Sequence, residues 1–133
     1  MAQRIARQDL SRAEWEIMKT LWAHGDMALG EIVSKLPPGP NWAYSTVKTF
    51  VRRMAAKGWV SSRRVGSSHL YSAAVKKGSA VGSAVRDFTR RVLDGVLTPF
   101  VAYYVEDKGL SDDEIAELER IIKDCRQRKG GRK

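Results

Sequence analysis

The order of periodicities constrains this chain most: three segments repeat with helical spacing, and at Gly58 the pattern gives way to strand-like residues. Ser11 with Glu14 three residues later makes a capping box, and Leu10 and Trp15 hold the staple positions around it. A helix is expected over about 12–23, with Trp15, Met18, Leu21 and Trp22 on one buried stripe. Gly25, within His24-Gly25-Asp26, is placed to cap its end. A short second helix over about 28–36 carries Leu29, Ile32, Val33 and Leu36 on its apolar face, and Pro37-Pro38-Gly39-Pro40 stops it. The third, over about 43–57, is expected to bury Tyr44, Val47, Val51 and Met54 before Gly58 ends it. Residues 59–65 and 67–73 are rich in Val, Ser, Tyr and basic side chains, with Gly66-Ser67 as a tight turn. That reads as a two-stranded hairpin, with Leu70 or Tyr71 returning to the helical core. Three helices followed by a hairpin is the order of a winged helix.

The remainder reads as helical and amphipathic, entered through a hinge over 76–83 that contains Gly78 and Gly82. Val81, Val85, Phe88 and Val92 form one apolar stripe. A short element over 97–105, opened by Thr98-Pro99, offers Phe100, Val101 and Tyr104. A second capping box, Ser111 with Glu114, precedes Ile115, Leu118, Ile122 and Cys125 at heptad-like spacing. So few residues bury too little surface alone, and a second copy of the chain is the simplest cover for these stripes. Packing against the winged helix is the competing arrangement. The expected fold class is mainly α with a small β-hairpin. Residues 1–76 would form a winged helix-turn-helix domain and residues 77–133 a helical dimerisation domain, with a basic tail from Arg126 to Lys133 that frays.

Charge is divided unevenly between these parts. The net +9 places 13 Lys/Arg and 5 Asp/Glu in residues 1–80, against 11 and 10 in residues 81–133. No acid occurs between Glu31 and Asp87, an interval that holds Lys48, Arg52, Arg53, Lys57, Arg63 and Arg64 among its cations. A positive field confined to one half suits a polyanion, because each phosphate neutralised releases counterions. A solubilising face would mix both signs. Cys125 is the single cysteine, which excludes an internal disulfide and a multi-cysteine metal site. His24 and His69 lie far apart in sequence, and no phosphate loop, nucleophile elbow or metal-ligand spacing appears, so neither an enzyme nor a bound metal or cofactor is expected. No apolar run approaches the length of a membrane span and no signal-peptide pattern follows Gln3, Arg4, Arg7 and Asp9. The cytoplasm is the expected location.

In a helix-turn-helix the second helix of the motif enters the major groove. Here that is the third helix, whose core face leaves Ser45, Thr46, Lys48, Thr49, Arg52 and Arg53 pointing away. Hydroxyls and a cation near the helix start suit base edges, and Arg52 and Arg53 suit the backbone. Arg63 and Arg64 on the hairpin would reach flanking phosphates of a double-stranded operator. A nonspecific architectural DNA binder, or a winged helix used as a protein-interaction module, are the competing functions. The first needs only the charge. The second predicts an apolar patch where this sequence places Arg and Lys.

The sequence resembles the penicillinase-repressor family, the BlaI/MecI class of winged-helix regulators, from Leu10 to about Asp124. The resemblance lies in Leu10-Ser11-Arg12-Ala13-Glu14-Trp15-Glu16-Ile17-Met18 with Leu21-Trp22, in Ala43-Tyr44-Ser45-Thr46-Val47-Lys48-Thr49, in Lys57-Gly58-Trp59-Val60 and Tyr71, and in Leu110-Ser111-Asp112-Asp113-Glu114-Ile115. It implies a homodimer that binds a short inverted repeat and blocks transcription. Recognition contacts would fall on Ser45, Thr46 and Lys48, with Thr49 and Arg52 close by, and dimerisation would use the C-terminal helices. Resistance-controlling relatives are released when a regulatory protease pathway leads to cutting at an Asn-Phe bond in the dimerisation segment. The matching peptide here is Tyr103-Tyr104, a departure that favours two aromatic core or interface residues over a cleavage site. Copper-responsive relatives use a cysteine pair, which Cys125 alone does not supply; it reads as a buried small apolar residue.

Overall fold

The computed structural model describes residues 9–38 and 42–132. Gly39 and Pro40 of the expected helix stop, the opening Gln3, Arg4 and Arg7, and Lys133 lie outside the described residues. Helix α1 (Arg12–His24) starts as its capping box dictates: the Ser11 hydroxyl accepts the Glu14 N–H at 3.2 Å, and the Glu14 carboxylate accepts the Ser11 N–H at 2.9 Å. Gly25, at φ 88°, ends it and donates its N–H to the Leu21 carbonyl at 2.8 Å. Helix α2 (Leu29–Lys35) follows, its Glu31 carboxylate reaching back to the Ala28 N–H at 2.9 Å. Helix α3 (Tyr44–Ala56) then leads through Lys57 and Gly58, the latter at φ 89°, into the hairpin.

Strands β1 (Val60–Val65) and β2 (Ser68–Ala73) pair antiparallel from Val60 opposite Ala73 to Val65 opposite Ser68. The connection is Gly66-Ser67 with φ 65° at the glycine, so positive φ falls at the first loop position, as in a type II′ turn. Tyr71 also exchanges two backbone hydrogen bonds with Met27, at 3.1 and 2.8 Å, which adds a single-residue third rung to the sheet.

The core sits where the three helices meet the base of the hairpin. Ile17, Met18, Ile32, Val47, Val51 and Met54 are sealed from solvent, each worth about 1.5–3 kcal/mol of burial. Trp59, Val60 and Val75 close it from the hairpin side, and the Trp22 indole donates to the Val75 carbonyl at 2.9 Å. The charged Glu14 is 3% exposed, yet its carboxylate also meets Lys57 Nζ at 3.2 Å. One side chain thus ties the start of α1 to the end of α3.

Five expectations are corrected here. Ile17 is the buried residue on α1 beside Met18 and Leu21, whereas Trp15 and Trp22 are half-buried and stack edge-on at 6.1 Å. Tyr44 is 57% exposed, because a helical side chain leans toward the turn before it and the first residue of α3 has none. The hinge expected over 76–83 is instead the first half of helix α4 (Lys77–Val92), where Ala80 is buried and outweighs the poor helix propensity of Gly78 and Gly82. The basic tail does not fray: Arg126 to Arg132 continue helix α6 (Asp112–Arg132), where cations suit the negative end of the helix. Cys125 on that helix is exposed, not buried.

The chain divides into two compact units, one ending at Ala84 and the other beginning at Val85, so the division falls within α4. The second unit holds the rest of α4, helix α5 (Thr98–Asp107) and α6. Phe88, Phe100 and Tyr104 form its aromatic cluster, with successive ring centroids 6.0 and 5.9 Å apart. Among the described residues, none beyond Ala80 is buried.

Candidate nucleic-acid interface

The core face of α3 fixes what the opposite face can present. With Val47, Val51 and Met54 inward, a period of 3.6 directs Ser45, Thr49 and Arg52 straight away from the core. Thr46 and Arg53 flank that stripe on one side and Lys48 on the other. All six are exposed. The Thr49 hydroxyl donates to the Ser45 carbonyl at 3.1 Å. No acid shares this face of α3.

The two flanks open onto different surroundings. Thr46 borders a groove of about 670 Å³ lined by Arg12, Pro37, Pro38, Trp42 and Phe50, at the start of α1. Lys48 borders a cleft of about 390 Å³ between α3, the start of α2 and the hairpin, together with Tyr44, Ser67, Ser68, His69 and Tyr71. Tyr44, expected in the core, and His69, not assigned to this face, thus join it. The available signal was Tyr44's place at the first position of its helix.

Strand alternation separates the hairpin arginines. Arg64 pairs in register with His69 and shares its side of the hairpin, the side that lines the cleft with α3. Arg64 Nε donates to the Gly66 carbonyl at 3.3 Å, which draws the guanidinium along the turn. Arg63 lies on the other side, 3.7 Å from the Asp26 carboxylate, both side chains half-exposed. The structure therefore keeps Ser45, Thr46, Lys48, Thr49, Arg52 and Arg53 on the exposed side of α3, puts Arg64 on the hairpin side that carries His69, and sets Arg63 apart in an ion pair. Ala43, the residue before α3, offers no side-chain cap, leaving the helix's first amides to solvent or an anion.

The residues expected to dimerise belong to the second unit. Val85, Phe88, Val92, Phe100, Val101, Tyr104, Ile115, Leu118 and Ile122 are between 39% and 56% exposed. Tyr103 is 73% exposed and sits with Tyr104 in the middle of α5. Among the described residues no cluster of His, Cys, Asp or Glu could hold a metal ion, and no helix is long and apolar enough to cross a membrane.

Comparison with known proteins matches residues 10–124 to the family described as Penicillinase repressor. The penicillinase repressor of Bacillus licheniformis is 28% identical over 120 residues, which cover 90% of this chain and 94% of that protein. The methicillin resistance regulatory protein MecI of Staphylococcus aureus is 26% identical over 114 residues, covering 86% and 93%. Among solved structures, the Bacillus licheniformis BlaI monomer in complex with the blaP half-operator is 25% identical, with a TM-score of 0.47 over 53% of this chain and 87% of that one.

Proposed function

The chain belongs to the penicillinase-repressor family, whose members are DNA-binding transcriptional repressors and not enzymes, and from that premise we propose that it acts as a homodimer on an inverted-repeat operator. The observation that carries the DNA-reading part is the outward face of α3, exposed, free of acid and bordered by the basic hairpin. Ser45, Thr46, Lys48 and Thr49 take the base edges, with Tyr44 beside them, while Arg52, Arg53 and Arg64 hold phosphates. Arg63 exchanges Asp26 for a phosphate when DNA arrives, an exchange that an exposed pair permits at small cost. Residues 1–76 read DNA and residues 77–133 join the copies; the first turn of α4 is shared, since Ala80 packs into the DNA-reading core. The dimer reading is supported by a second unit whose described residues include none that is buried.

The test is binding of Lys48→Ala to its selected operator and to a random duplex. The variant should lose about 1–3 kcal/mol at the operator and far less on random DNA. Equal affinity of variant and parent for both duplexes contradicts the assignment.

Release by regulated proteolysis is a second reading, favoured by the 73% exposure of Tyr103. Against it, the Tyr103-Tyr104 bond lies within a helical turn that a protease must unwind, and the Tyr104 ring already packs on Phe100. The relatives' names make antibiotic-defence genes the first targets to try. Exposing cells to a cell-wall antibiotic and blotting for a shortened chain separates the two readings: an intact chain alongside induced targets removes proteolysis.

A further inference from the structure

The charges of α6 are sorted along its length. Asp112, Asp113, Glu114, Glu117 and Glu119 occupy its first part without a cation, and from Arg120 to Arg132 six cations face one acid, Asp124. The helix dipole accounts for charge in the first and last turns only, which leaves the middle of this division unexplained. Ile115, Leu118, Ile122 and Cys125 take the a and d positions of a heptad, and all four are exposed. On that frame Asp112, Glu119 and Arg126 fall at e, and Glu114, Ile121 and Arg128 at g. Among the described residues, none of these five charged side chains has an ion-pair partner in its own chain.

We propose that α6 is covered by α6 of a second copy laid antiparallel, with the two-fold axis passing beside Arg120. This rests on the homodimer reading and adds its orientation. An antiparallel seam sets a against d, e against e and g against g. Ile115 then meets the partner's Cys125, Asp112 meets the partner's Arg126 and Glu114 meets the partner's Arg128, each twice by symmetry. Ile121 meets the partner's Ile121 on the axis. One like pair, Glu119 with the partner's Glu119, opposes the arrangement. A parallel seam sets g against the next e of the other helix, so Glu114 faces the partner's Glu119 twice and Arg128 finds no acid. Four attractive contacts against one repulsive contact favour the antiparallel pair.

The single native thiol reads this orientation. In the antiparallel pair the two Cys125 positions are about 15 Å apart along the axis, beyond the roughly 7 Å Cα separation that a disulfide spans. Sedimentation of the full chain comes first; a monomer removes the homodimer reading itself. On a dimer, oxidation with copper-phenanthroline should leave the parent unlinked and should link Ile115→Cys into covalent dimers, and the link should vanish in Ile115→Cys/Cys125→Ala. A linked parent dimer, or an unlinked Ile115→Cys dimer, overturns the antiparallel arrangement and leaves dimerisation standing. If Ile115→Cys does not fold, Arg128→Glu gives the same information. It should weaken the dimer roughly tenfold, and adding Glu114→Arg should restore it. An unchanged dimer constant in Arg128→Glu contradicts the proposal.

Discussion

On the proposed reading, side chains on α3 divide by what they would offer to DNA, and each division has a measurable consequence. Thr46 presents a hydroxyl and a methyl beside the groove at the start of α1. Thr46→Ala should cost about 1–3 kcal/mol at the operator, read by anisotropy, with an unchanged thermal midpoint because the residue is exposed. Asp26 lies 3.7 Å from the hairpin's Arg63. Asp26→Asn should tighten binding to every duplex alike, by no more than about 1 kcal/mol, since the pair it breaks is exposed. An unchanged Kd would place Arg63 away from DNA. At this scale the sequence was most informative where periodicity fixes direction: the six expected α3 residues follow from Val47, Val51 and Met54 alone. Tyr44 was misplaced because its spacing fits the buried stripe although the first helical residue has no preceding turn to cover it, and His69 escaped because a hairpin's approach to a helix is a tertiary fact.

Among the elements, the ends of helices were more legible than their neighbours. Ser11, Glu14 and Gly25 are local signals with local chemistry, and all three act as read. What no local signal revealed is that Glu14 also holds Lys57 across the fold, a contact spanning 43 positions. Glu14→Ala strips a partner from both the Ser11 N–H and Lys57, and should lower unfolding stability by about 1–3 kcal/mol in denaturant melts. Glu14→Gln, which keeps the acceptor, should lose less. The hairpin turn depends on Gly66 at φ 65°, where a Cβ meets open space but an L side chain is strained. Gly66→Ala should therefore cost about 1 kcal/mol through backbone strain alone. The segment 76–83 was misread for a related reason: two glycines look like a hinge locally, but the burial of Ala80 settles it as helix.

For the whole molecule, charge is divided as the proposed roles require: the excess of cations lies before residue 81, and the near-neutral remainder carries the exposed apolar faces. In the proposed dimer every contact is doubled, which the salt dependence of binding would register. If Arg53 holds one phosphate per protomer, Arg53→Ala should lower the slope of log affinity against log salt by about 1.8, twice the roughly 0.9 of a single contact. The apolar stripes of the second unit were legible as helical faces, and a second copy was the cover expected for them; on the chain itself, exposure and the charge order of α6 are what bear on that cover. The most direct test of the central claim is selection of bound duplexes from a random library by the full chain, at roughly 150 mM salt to suppress counterion-driven background. Enrichment of an inverted repeat is the predicted result. Retention of DNA by a folded, dimeric chain with no motif enriched would contradict it and identify a nonspecific binder instead.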